Sequence, residues 1–531
     1  MKKNLKRLLS LFGCAVLAFG MLQGCGSSGA SGLSGASGSS GASGASSGDA
    51  ELRFVVHGPN SMTVFTCDPA VDYTGQMNQG MGVCETLMVL DDETKEVKPL
   101  LAEEWKQTDD NTWTFKIRSG VKFSNGKDLT AEMVKKSFEY ILSKNERLSK
   151  MMDVKEIKAE GQTLTITTNG VVAIMPRILT EQNMLVFDTT DDDYTNGLIG
   201  TGAFVLEKMD ADGNCDLIRN DNYWQGKPAA AKIHTISVND TGANSTALQA
   251  GEIDWGTVSD SDLEIFEKNP EFKVETKNNG RVYYLYINPS FTFTQDPALR
   301  EALQYAVDRE AILKGVYSGH GAVTRSIFPE WSDCYTKDAL QAEYNQATAK
   351  KKLEEAGYKD TDGDGFVEKD GKKVTLSIYC YKSNNFATLS EVLQSQLKAI
   401  GIDSTITVSD KIAEDLKGGQ YNIGTYGYNT LTLGDSFNYL QPVFETGAGS
   451  NFTRFSNASV DKALAEMKVT SDAKKRAELA QGMQKEIYAS NERIYIMHIL
   501  GNQVTRAEVK NCPILYGGDN TDNSVLWKIT K

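Results

Sequence analysis

Val374–Val408, VTLSIYCYKSNNFATLSEVLQSQLKAIGIDSTITV, places a strand, a helix and a second strand in one short span. Val374 to Tyr379 reads as a strand and Ala387 to Ile400 as a helix. Gly401 closes the helix, where a residue free to turn left-handed is favoured, and Ile402 to Val408 returns as a strand. A unit of this kind crosses over with a fixed hand and builds a parallel sheet. Arg281 to Asn288, RVYYLYIN, is apolar or aromatic on both faces, as expected of an interior strand covered on both sides.

Working outward, the same alternation continues along the chain. Glu51 to His57 reads as a strand, and Thr112 to Arg118 as a half-buried one. Ser124-Asn125-Gly126-Lys127 is a turn. It leads into a helix over Ala131 to Leu142, with Val134, Phe138, Ile141 and Leu142 on one face. Asp296-Pro297 supplies a cap and a first-turn proline for a helix buried along Leu299, Ala302, Leu303, Ala306 and Val307. The fold class is therefore α/β, in more than one lobe.

The first 24 residues stand apart. Lys2, Lys3, Lys6 and Arg7 precede the apolar run Leu8 to Leu22, the layout of a cleaved secretory signal. Leu22-Gln23-Gly24-Cys25 closes it and resembles the lipobox of bacterial lipoproteins, which implies cleavage before Cys25 and lipid on its sulfur. Two acyl chains anchor where one is marginal, each buried methylene contributing ~0.8 kcal/mol. Residues 25–48 follow as the lipidated Cys and a tether, Gly26 to Gly48, of Gly, Ser and Ala broken only by Leu33. Such a coil spans roughly 26 Å on average. The body is then 49–531, on the outer face of the membrane, extracellular or periplasmic.

Without the four leader cations, 52 Lys and Arg face 70 Asp and Glu, a net charge of −18. That balance argues against nucleic acid or anionic lipid as the main partner. Beyond Cys25 the six cysteines are at least seventeen residues apart, so no zinc knuckle or CxxC pair exists.

Catalytic and cofactor signatures fail one by one. His57, His234, His320 and His498 are scattered, with no HExxH. Gly120 to Lys127 has one residue too many for a phosphate loop, and Asp128 replaces its Ser/Thr. Gly200 to Phe204 lacks the third glycine of a dinucleotide fingerprint and reads as a turn into a strand. Asp360-Thr361-Asp362-Gly363-Asp364-Gly365 resembles the start of a calcium loop, but Gly371 stands where the bidentate Glu belongs. Calcium on Asp360, Asp362 and Asp364 and a plain Asp/Gly hairpin turn both stay open.

Several segments, in order, resemble the family 5 solute-binding proteins of bacterial ABC importers, the dipeptide-, oligopeptide- and nickel-binding group. Gly120 to Leu142 (GVKFSNGKDLTAEMVKKSFEYIL) is similar to that family's GVKFHDGTPLTAEDVKFSLE-like pattern. Pro99 to Trp105 resembles PxLAESW, Gly200 to Phe204 resembles GTGPY, and Asn220 to Pro228 resembles NPNYWGGKP. Gly251 to Asp254 and Leu299 to Ile312 match two more.

The resemblance implies a periplasmic-binding-protein-like fold with a ligand cleft between two lobes and a third, extra lobe. Lobe I would gather residues near 49–85, 201–285 and 500–531, lobe II roughly 86–200, and lobe III roughly 286–499. Ligand would enter between lobes I and III, which close by bending at crossovers near Arg281 to Pro289 and His498 to Thr505. The closed form would be handed to the permease transmembrane subunits. No bond is broken, so no enzyme and no required cofactor is expected; the rivals are an exported hydrolase and a passive adhesin. A monomer is expected.

Ligand contacts implied by the resemblance are His57, Tyr73, Met77, Tyr426, Tyr428 and Asn429. Peptide binders of the family place an amine-binding Asp at a position that falls here on Thr430 or Leu431. Asp435 to Phe452 and Gly82 to Leu87 are more similar to the nickel and metal-chelate branch. A peptide or peptide-like solute and a metal chelate both remain as cargo.

Overall fold

The computed structural model describes residues 50–56, 66–71, 78–91, 94–190, 194, 197–238, 240–512 and 523–531. Its centre is an eleven-stranded sheet, with two long strands, Phe272–Ile287 and Arg493–Arg506, adjacent in its middle. On one side of these two lie Ile423–Asn429, Thr375–Tyr381 and Asp403–Ser409. On the other lie Trp255–Gly256, Glu51–Val56, Lys232–Ser237, Cys215–Arg219 and Phe204–Met209. The short strand Ala322–Val323 pairs with Arg493–Arg506 opposite Met497 and His498.

The strand–helix–strand unit forms as its pattern requires. Thr375–Tyr381 and Asp403–Ser409 are parallel, in register from Thr375 with Asp403 to Tyr381 with Ser409. Helix Phe386–Ala399 connects them and buries Phe386, Leu389, Leu393 and Leu397. Gly401 follows at φ +82°, the left-handed exit that ends the helix.

The long strand Phe272–Ile287 has two characters. From Val282 to Ile287 every residue is buried, because helices cover both faces. Tyr283, Leu285 and Ile287 enter one core and Val282, Tyr284 and Tyr286 the other. From Lys273 to Asn279 the strand is mostly exposed or half-buried. Its pairing with Arg493–Arg506 breaks register between Asn278 and Val282, opposite Leu500 and His498. A second shift of register follows between Tyr283 and Tyr284.

A separate four-stranded antiparallel sheet has the order Ala102–Asp109, Thr112–Ile117, Thr163–Thr168, Val154–Glu160. Helix Ala131–Lys144 packs on it with Val134, Phe138 and Ile141 fully buried. Each such side chain contributes about 1.5–3 kcal/mol. Thr130 starts this helix by accepting from Met133 N, and Asn145 ends it while capping the next through Leu148 N. Cys67, Cys84, Cys215, Cys334 and Cys380 are buried free thiols.

Candidate functional site

Strand Ile423–Asn429 lies antiparallel to the buried half of the long strand, with Tyr426 opposite Tyr284, Tyr428 opposite Val282 and Asn429 opposite Arg281. Opposed residues share a sheet face. The face therefore carries a row of rings. Tyr426 sits 5.8 Å from Tyr286 and 5.7 Å from Phe452, and Tyr428 sits 5.2 Å from Tyr439. Both side chains remain half-buried. Burial raises the phenol pKa of Tyr426, so it stays a neutral donor and acceptor. Gly427 between them is required by packing, since a Cβ there would meet the Tyr283 ring at 2.7 Å.

This strand ends at the bulge. Gly280 adopts φ +85° there, and its carbonyl accepts from Thr430 N at 3.0 Å and Thr430 Oγ1 at 2.8 Å. Asn429 Oδ1 accepts from Leu431 N at 3.0 Å, tightening the same turn. Thr430, one of the two positions where the resemblance would put an amine-binding acid, is thus committed to the backbone.

Across the bulge His498 pairs with Val282 and is 2% exposed. Burial disfavours the imidazolium and pushes its pKa down to about 4. The ring lines a cavity of about 650 Å³ together with Asn278, Arg309, Arg325, Trp331 and Tyr344. Arg309 is fixed by Tyr495 O at 2.6 Å and Arg325 by Glu343 at 3.2 Å. Burial lowers the Arg309 pKa to about 10, which still leaves it charged at neutral pH.

Trp331 also lines a second cavity, of about 330 Å³, with Lys95, Arg177, Leu431, Asp435 and Arg476. Arg177 reaches there from the segment beside the four-stranded sheet and donates to Lys95 O at 2.8 Å and Leu433 O at 3.1 Å. Asp435 is spent on Arg476, whose Nε and Nη2 reach its two oxygens at 2.8 and 2.5 Å.

Of the residues singled out in the sequence, Tyr426, Tyr428 and Asn429 come together beside the bulge. Cys25, His57, Tyr73 and Met77 lie outside the described residues. Asp360, Asp362 and Asp364 gather elsewhere, in the turn before the hairpin Glu368–Lys369 and Lys372–Lys373. The sequence reading missed Asn278, Arg177, Trp331 and His498 as cavity residues. The one visible signal was His498 itself, a polar residue inside the apolar run Ile494 to Leu500.

The chain matches the family of bacterial extracellular solute-binding proteins, family 5, over residues 96–451. It is 30% identical over 409 residues to the oligopeptide-binding protein AppA of Bacillus subtilis, covering 72% of this chain and 75% of that one. It is 26% identical over 435 residues to the nickel-binding protein NikA of Staphylococcus aureus, covering 81% and 86%. Among solved structures, the nickel ABC transporter protein of Bacillus halodurans superposes with a TM-score of 0.76 at 26% identity, covering 91% of this chain and all of that one. The α/β architecture, the paired long strands and the matched span agree, and the chain belongs to the bacterial extracellular solute-binding proteins of family 5.

Proposed function

We propose that this protein is the extracytoplasmic solute-binding component of an ABC importer, capturing a short peptide or peptide-like solute and presenting it to the permease. The carrying observation is the cavity of about 650 Å³ where the pairing of the two long strands shifts register, lined by Asn278 and His498. Its wall offers Arg309 and Arg325 on one side of the charge balance and Glu330 and Glu343 on the other. A zwitterionic chain needs both, because an ammonium buried without a carboxylate costs several kcal/mol. Glu330 supplies the carboxylate that Thr430 does not, while Glu343 holds Arg325.

Capture is binding and closure without bond breaking, so the protein is not an enzyme. The lobes, near 49–85, 201–285 and 500–531, then 86–200, then 286–499, would pivot on Asn278–Val282 and His498–Leu500, where the pairing of the strands is already broken. Cys25 would carry the lipid that holds a monomeric body near its permease, and Cys25→Ala should release it from the membrane fraction.

A nickel or other metal chelate is the second reading. It is favoured by the relatives from Staphylococcus aureus and Bacillus halodurans, and by His498, whose burial keeps the imidazole in its neutral, metal-ligating form. Native mass spectrometry with metal analysis of freshly purified protein separates the two. Peptides without stoichiometric metal support the first reading; one metal with a small organic chelator replaces it by the second. Small-angle scattering should show a smaller radius of gyration with cargo, and an unchanged radius at saturation would defeat hinge closure.

A further inference from the structure

The connection between helix Gln346–Glu355 and strand Thr375–Tyr381 holds five acids that neither cavity uses, four of them clustered. One oxygen from each of Asp360, Asp362, Asp364 and Glu368 lies within 4.8 Å of every other. That is about twice the 2.3–2.6 Å bond of calcium to oxygen, the separation of ligands across one ion.

Glu368 provides the independent observation. It is 9% exposed, and its Oε2 accepts from Thr361 N and Thr361 Oγ1, both at 2.7 Å. Its Oε1 is buried with no hydrogen-bond partner. A buried carboxylate oxygen left so is costly and rare in native proteins. Thr361 stands between Asp360 and Asp362, so these bonds fold Glu368 onto the aspartate turn.

The turn itself is preset. Asp360 accepts from Gly363 N at 2.7 Å and Gly365 N at 3.0 Å, and Asp364 from Phe366 N at 2.9 Å. Counted from Asp360, acids occupy the first, third and fifth places, and Gly365 at the sixth has φ +89°. Phe366 is at the seventh, where a calcium loop offers a backbone carbonyl. Glu368 falls at the ninth and stands in for the acid that is missing at Gly371. Lys373 is the cation that meets the group, 3.0 Å from Asp364 Oδ2 and 3.9 Å from Asp403. One ammonium leaves the four carboxylates with excess negative charge.

We propose that Asp360, Asp362, Asp364 and Glu368 bind one calcium ion. Hard carboxylate oxygens in an irregular turn suit calcium, whereas magnesium demands a near-ideal octahedron and holds its waters. The ion would brace the turn against the strand–helix–strand unit, which Val367 N joins through Gly401 O at 2.7 Å. The site is independent of the cargo.

Calorimetric titration of the chelator-stripped full chain with calcium chloride tests this, with magnesium chloride in parallel. Expected are one calcium per chain, a dissociation constant of about 10⁻³ M or tighter, and a higher Tm with calcium. Asp362→Asn, at an exposed position, and Glu368→Gln should each weaken binding by about tenfold or more and remove the Tm shift. Cargo binding should stay at the parent level in both. No saturable uptake by the parent chain, equal uptake by Asp362→Asn, or tighter binding of magnesium than of calcium would overturn the assignment.

Discussion

Thr430 closes two hydrogen bonds on the carbonyl of Gly280, one from its backbone and one from its hydroxyl. The end of the tyrosine-bearing strand is thereby tied to the residue on which the long strand bends. Any movement at the bulge carries Tyr428 and Asn429 with it.

Gly280→Ala isolates the backbone cost of that bend. A Cβ would stand 3.5 Å from Leu431, an ordinary contact, so space is not limiting. The strain comes from φ +85°, which costs an L residue roughly 1–2 kcal/mol. Urea unfolding should show stability lower by that amount. An unchanged midpoint would mean the bulge relaxes to another conformation without penalty.

Asp435 and Arg476 form a buried two-pronged pair, with side chains 7% and 5% exposed. Asp435→Ala leaves the guanidinium buried against Phe437 with its backbone partners Met467 O and Thr470 O but no counter-charge. A loss of about 3–5 kcal/mol is expected. Replacing both by apolar residues of similar volume should recover much of it, as a double-mutant cycle would reveal.

His498 makes stability fall in acid. Its pKa is about 4 in the folded chain against an ordinary 6.5, so between those values the unfolded chain holds a proton that the folded one does not. The contribution is complete above pH 6.5, declines as pH falls, and levels off below about 4. With 1.36 kcal/mol per unit, it amounts to about 3 kcal/mol. The stability difference between the parent and His498→Gln should therefore vary across that window and stay flat above it. A difference independent of pH would refute the titration.

The parallel unit was legible because its signals are local. A helix stripe and a closing glycine lie within 35 residues, and the structure moves the element ends by a residue or two. RVYYLYIN was legible because burial on both faces leaves an unbroken apolar run. Its continuation from Phe272 to Asn278 was not, since Lys273, Glu275 and Lys277 give the exposed half no such run. The cavities were hidden for a different reason. Asn278 and His498 are 220 positions apart, and only the pairing of the long strands brings them together. Glu368 escaped because a template counted to the twelfth place looks past the ninth.

Trp331 gives the sharpest test of where cargo sits. It lines both cavities yet is 43% exposed and belongs to none of the hydrophobic cores. Losing a side chain of that kind should change stability by less than about 0.5 kcal/mol. If cargo fills either cavity, the indole is covered on binding and acts as an aromatic anchor, and its removal typically costs 2 kcal/mol or more, about thirtyfold in affinity. Trp331→Ala should thus unfold like the parent while binding cargo at least about tenfold more weakly. Trp331→Phe should keep much of the affinity and lose most of the emission change on binding. Parent-like affinity and emission in both variants would move the cargo away from these cavities.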